Sequence, residues 1–140
     1  MLGSVEGARV LDLFAGSGAL GIEALSRGAA SAVFVERDAR AASTLRRNLA
    51  TVQVEAPVHR RDALAFLASG RGSFDLVFVD PPYSSAGRLA GALSERLPAV
   101  LARGARIVTE SDKRNPLELR LPLQGERFYG DTRIAVHRAG

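Results

Sequence analysis

The chain has 140 residues, no cysteine, two histidines and a net charge of +4 from 19 basic and 15 acidic residues. That length corresponds to one domain, and the lack of cysteine excludes zinc fingers, thiol catalysis, iron–sulfur clusters and a disulfide framework. His59 and His137 have no ligand-spaced neighbours, no apolar run approaches the roughly 18 residues that cross a bilayer, and Met1-Leu2-Gly3-Ser4 lacks a signal pattern, so a soluble, cytoplasmic protein without a metal site is expected.

From Arg9 to Glu110, apolar runs of strand length alternate with stretches of helical spacing, the pattern of βα units in a parallel sheet. Strands are expected at Arg9–Phe14, Ala32–Glu36, Ala56–Arg60, Phe74–Asp80 and Ala105–Glu110. Helices are expected at Gly18–Arg27, Ala39–Ala50, Ala63–Ser69 and about Ala86–Leu101, with Gly28 as a helix C′ residue. Beyond Ser111 the pattern changes: Leu117–Leu121 and Gly125–Tyr129 are β-rich and lead through Gly130-Asp131 into Thr132–His137, which reads as a terminal hairpin. The expected fold is α/β, a mostly parallel sheet closed by an antiparallel C-terminal ribbon.

The first chemical signal is Val10-Leu11-Asp12-Leu13-Phe14-Ala15-Gly16-Ser17-Gly18-Ala19-Leu20-Gly21, a strand that enters a glycine turn and opens a helix. Gly16 and Gly18 let the backbone approach a ligand, and the helix start turns unpaired N–H groups to the same space. Gly16, Gly18 and Gly21 also spell the glycine pattern of dinucleotide-binding turns. Asp12, however, would repel a diphosphate and attract an ammonium group, which favours a zwitterionic or cationic ligand. Glu36 ends the second strand twenty residues after Gly16, where an acidic side chain can accept both hydroxyls of a ribose; pairing with Arg37 or Arg40 is the plain alternative. Asp62 can take an adenine amino group, cap the following helix, or do both.

The second signal is Phe74-Asp75-Leu76-Val77-Phe78-Val79-Asp80-Pro81-Pro82-Tyr83. Two prolines donate no backbone hydrogen bond and hold a stiff, extended edge whose carbonyls only accept. With the Asp80 carboxylate and the flat face of Tyr83, this edge complements a planar molecule that carries an exocyclic amine. The basic balance, in which Lys113 is the only lysine and arginine supplies the rest, fits a polyanionic partner.

On these residues, together with Glu23-Ala24-Leu25-Ser26-Arg27-Gly28-Ala29, Val35-Glu36-Arg37-Asp38, Asn48-Leu49 and Tyr129-Gly130-Asp131-Thr132, the chain resembles class I S-adenosylmethionine-dependent methyltransferases. Among them it is most similar to the bacterial 16S ribosomal RNA guanine-N2 methyltransferase family. The resemblance implies a Rossmann-like class I methyltransferase fold, S-adenosyl-L-methionine as cofactor and ribosomal RNA as partner, within the small ribosomal subunit or its assembly intermediate. It also implies that Asp12, Ala15, Gly16 and Gly18 surround the methionine moiety, that Glu36 holds the ribose, that Asp62 with Ala63 frames the adenine, and that Phe14, Ser17 and Arg37 belong to the cofactor-binding set. Asp80 and Pro81 would accept hydrogen bonds from the target amine, and Tyr83 would stack on an extruded base. Adenine N6 presents an equivalent amine, and a non-catalytic RNA-binding module could keep the same pocket. A nicotinamide dehydrogenase has no use for Asp-Pro-Pro-Tyr, and protein-glutamine methyltransferases resemble Asn-Pro-Pro-Tyr at this place. Family members carry an N-terminal segment before the first strand that closes over the cofactor, so residues 1–140 are expected to form a single domain without it.

Overall fold

Seven strands form one sheet in the order β3-β2-β1-β4-β5-β7-β6 in the computed structural model, which describes residues 3–140 except for the side chain of Tyr83. The strands are β1 (Arg9–Asp12), β2 (Ser31–Val35), β3 (Val58–His59), β4 (Phe74–Val79), β5 (Leu101–Asp112), β6 (Leu123–Tyr129) and β7 (Thr132–Arg138). The helices are α1 (Ala19–Ser26), α2 (Ala39–Thr51), α3 (Ala63–Ala68) and α4 (Ala86–Arg96). The first five strands run parallel, and β7 inserts antiparallel between β5 and β6. The strand order reverses beside β1, so the carboxyl ends of β1 and β4 open on a crevice, the usual ligand position in such sheets.

Both faces of the central strands are covered, which explains why they read as nearly continuous apolar runs. Leu11, Val77, Val79 and Ile107 point to one face and pack with Phe66 and Leu67 of α3 and Leu93 of α4. Val10, Phe34, Leu76 and Phe78 point to the other, where Ala24 of α1 and Leu45 and Leu49 of α2 meet them. Helix α2 buries Ala42, Leu45 and Leu49, a stripe at helical spacing. Its N-terminus is fixed by Asp38, whose side chain accepts from the Ala41 N–H at 2.9 Å.

Several boundaries differ from the sequence expectation. The first strand stops at Asp12, and as the chain enters the glycine turn the buried Leu13 and Ala15 still donate their N–H groups to Phe78 O at 3.1 Å and Val35 O at 3.0 Å. The third strand shrinks to two residues. The fifth begins at Leu101 instead of Ala105: the register against β4 shifts between Phe74 and Leu76, and Gly104, at φ 72°, takes up the irregularity. The expected long fourth helix divides into a turn of 3-10 helix at Tyr83–Ser85, α4, and a further 3-10 segment at Leu97–Val100 where Pro98 enters. Leu117–Leu121 is not a strand. It runs as a strap over the sheet, with Leu117 and Leu119 buried, and side chains hold its backbone. Ser111 Oγ accepts from Leu117 N at 3.0 Å, Arg133 Nη1 donates to Leu117 O at 3.1 Å, and Ser94 Oγ accepts from Arg120 N at 2.9 Å. The His137 ring meets Leu121 O through Nδ1 at 3.0 Å.

Candidate active site

A cavity of about 800 Å³ opens at the carboxyl ends of β1, β2, β3 and β4. Its walls include Phe14, Ala15, Gly16 and Ser17 from the β1–α1 turn, Glu36, Arg37 and Asp38 after β2, Asp62 and Ala63 at the start of α3, and Asp80, Pro81 and Pro82 after β4. Residues far apart in the chain converge here because each follows a strand of the same parallel sheet.

Two residues expected to touch a ligand lie beneath the cavity instead of on its walls. Asp12 is 2% exposed, and its Oδ2 accepts from the Gly21 N–H at 3.0 Å. Burial pushes its carboxyl up to about 7 against that hydrogen bond, with the negative charges of Asp80 and Glu36 adding to the rise. Its observed contact is with the first turn of α1, which it ties to the end of β1. Gly18 is buried at φ 83°, and a Cβ there would strike Leu45 Cδ1. Gly21 is equally constrained, since a side chain would meet the Phe34 ring and, at 3.2 Å, Asp12 Oδ2. These two glycines are needed for the packing of α1 on the sheet, whereas Gly16 faces the cavity.

Glu36 organises the cavity floor. Its Oε1 accepts from Gly16 N at 2.8 Å and its Oε2 from Asp38 N at 2.9 Å. An ionised carboxylate has about four acceptor positions, so one on each oxygen stays available for a pair of vicinal hydroxyls. Neither Arg37 nor Arg40 is its partner; Arg37 lies 3.8 Å from Asp62 Oδ1. Asp62 also caps α3, accepting from Ala65 N at 3.1 Å, so its capping role is occupied while its edge still lines the cavity. These donors and acceptors suit S-adenosyl-L-methionine: a carboxylate for ribose hydroxyls, a flat apolar slot by Ala63 and Leu64, and a turn of exposed backbone beside Gly16.

On the opposite wall, burial pushes the Asp80 carboxyl up to about 6, with the charge of Glu110 adding to the rise. Glu110 follows Thr109, the residue in register with Val79, and so lies alongside Asp80 on the neighbouring strand. Pro81 is buried and Pro82 exposed. The side chain of Tyr83 lies outside the described residues, and its expected stacking role is not tested by the geometry. Sequence reasoning missed Arg61, Ser85, Arg88 and Leu89, all of which line the cavity. For Arg88 a signal existed: it is the cation in the first turn of the helix that follows Asp-Pro-Pro-Tyr.

The family described as "Conserved hypothetical protein 95" matches residues 1–138. The chain belongs to that family. YlbH of Bacillus subtilis is 37% identical over 145 residues, covering 95% of this chain and 77% of its own length. The ribosomal RNA small subunit methyltransferase D of Escherichia coli is 42% identical over 116 residues, covering 79% of this chain and 56% of that protein. The chain thus spans little more than half of that relative. A solved structure of a conserved hypothetical protein from Streptococcus pyogenes superposes with a TM-score of 0.87 at 34% identity, covering 98% of this chain and 89% of the other. The chain's fold is that of the class I methyltransferases, as the motifs implied.

Proposed function

We propose that this chain transfers a methyl group from S-adenosyl-L-methionine to the N2 amine of a guanine in 16S ribosomal RNA, acting in the cytoplasm on the small ribosomal subunit or an intermediate of its assembly. The observation that carries the reading is that Asp80 and Pro81, acceptors suited to an exocyclic amine, line the same cavity as Glu36, Asp62 and the Gly16 turn. The resemblance to ribosomal RNA small subunit methyltransferase D supports it.

When bound, S-adenosyl-L-methionine supplies an electrophilic methyl group on a sulfonium. Glu36 holds the ribose hydroxyls through its spare acceptor positions, and Arg37 packs beside it. Asp62 and Ala63 frame the adenine, and Phe14, Ala15, Gly16 and Ser17 enclose the methionine end, with Asp12 and Gly18 acting from beneath as the scaffold of that turn. Asp80 and the Pro81 carbonyl accept hydrogen bonds from the target amine and so aim its lone pair into the cavity. Such positioning is worth roughly 7 kcal/mol or more of the barrier. As the nitrogen gains the methyl its proton becomes acidic, and the Asp80 carboxylate, ionised above about pH 6, can accept it. Tyr83 supplies the stacking face for the extruded base, an interaction worth about 1–3 kcal/mol against the few kcal/mol lost on unstacking.

The test is methyl transfer from labelled cofactor to small subunits purified from cells that lack this gene, followed by mass mapping of the RNA. N2-methylguanosine at one position is the expected product. N6-methyladenosine would move the assignment to adenine, and tight RNA binding without transfer would make the chain a binding module.

A further inference from the structure

Five charged residues on the β2–β3 side of the cavity have protein partners. Glu36 and Asp38 hold backbone N–H groups, Arg37 pairs with Asp62, and Arg61 Nη2 donates to Ala65 O at 3.4 Å. Arg88 lines the same cavity from α4, and among the described residues its guanidinium has neither an ion pair nor a hydrogen bond. Its backbone is nevertheless fixed, because Ala86 before it and Leu93 after it are fully buried against the sheet and Leu89 packs on the same core. An unpaired guanidinium on a fixed backbone, on the wall that Asp80 shares, is placed to receive an anion that the protein does not itself supply.

The geometry points to Arg88 as a positioning residue that holds a backbone phosphate of the substrate RNA next to the nucleotide whose amine faces Asp80. The inference rests on the function proposed above. Its electrostatic logic is local: Asp80 and Glu110 put negative charge where a polyanion must approach, and a cation on the same wall offsets that repulsion. Arginine suits the task because its planar fork makes two parallel hydrogen bonds to phosphate. The cofactor also carries an anionic group, its carboxylate, so the test must separate the two anions.

Binding of Arg88→Ala and wild type to the same gene-deleted small subunits is measured across a salt series, beside calorimetry with S-adenosyl-L-methionine alone. Arg46→Ala, which removes an exposed arginine from a separate groove between α2 and β3, controls for lost net charge. Arg88→Ala is expected to bind subunits about tenfold more weakly, and its plot of log affinity against log salt should be shallower by about 0.7, the value for one phosphate contact on single-stranded RNA. Its cofactor affinity should equal wild type, Arg88→Lys should recover part of the loss, and Arg46→Ala should match wild type. An unchanged salt slope and subunit affinity in Arg88→Ala, with wild type binding and methylating normally, would overturn this inference and leave the function standing. Weaker cofactor binding with an unchanged salt slope would assign Arg88 to the cofactor instead. A wild-type protein that neither binds nor methylates subunits would overturn both.

Discussion

On the β1–β3 side of the cavity the charged residues of the wall are already engaged with the protein, whereas Asp80 and Arg88 on the β4–α4 side have no hydrogen bond or ion pair among the described residues. Glu36 binds two backbone N–H groups, Asp62 caps a helix, and Asp12 ties α1 to the sheet. These bonds fix the wall before any ligand arrives, so little ordering cost falls on binding. The other wall keeps free acceptors and a free cation, which an incoming amine and phosphate would satisfy. A preformed half suits a small molecule that recurs in every cycle, and an unsatisfied half suits a partner that must be chosen.

Mutations can break this comparison. The largest effect is expected for Asp80→Ala, which should cut turnover by about a hundredfold or more, the scale for losing a transition-state contact, while cofactor affinity stays within a few-fold. Melting temperature should hold or rise, since the removed carboxyl is half-buried and has no partner among the described residues; single-turnover rates beside thermal melts check both points. A loss of cofactor affinity as large as the loss of turnover would erase the division between the walls.

On the preformed side, Glu36→Ala should weaken cofactor binding by roughly 1.5–3 kcal/mol, read by calorimetry. It also strips the acceptor from Gly16 N and Asp38 N, so some stability should go with it, unlike Asp80→Ala. Gly21→Ala should cost about 1–3 kcal/mol of stability through overpacking against Phe34, with denaturant titration as the readout.

The last effect is a pH dependence. Asp12 has a folded value of about 7 against an ordinary 3.8, so the native state binds the extra proton. Its contribution to stability is therefore complete below about pH 4 and is lost as pH rises toward 7. Asp12→Asn should remove that decline, and the difference between the two stability curves should be steepest midway between the ordinary 3.8 and the folded value of about 7. Parallel curves would mean that Asp12 is ionised in the folded protein.

The central sheet was legible because its physics is local. Apolar runs such as Leu76–Val79 and the Asp62 cap announce themselves by spacing alone, and the strand-end positions of Glu36 and Asp80 follow from them. What was not legible depends on contacts across the chain. Whether Asp12 touches a ligand or a helix turn is decided by Gly21 folding back over it, and whether Gly18 serves a ligand or packing is decided by Leu45, twenty-seven residues on. The early start of β5 depends on the Gly104 irregularity against β4. Arg88 was passed over because a lone cation on a helix reads as a solvated face until the cavity beside it is seen.

The strap at 117–121 carries a different lesson about where a loop's route is written. Its backbone is gripped by Ser94, Ser111, Arg133 and His137, all of which are buried and belong to helix α4 and strands β5 and β7. Side chains of the strap contribute the leucines, Leu117 and Leu119 buried in the core and Leu121 packed against it, and Glu118 and Arg120 face outward. The path is encoded in the neighbours, so the strap's outward residues are free to change with the surroundings while its course across the sheet stays the same.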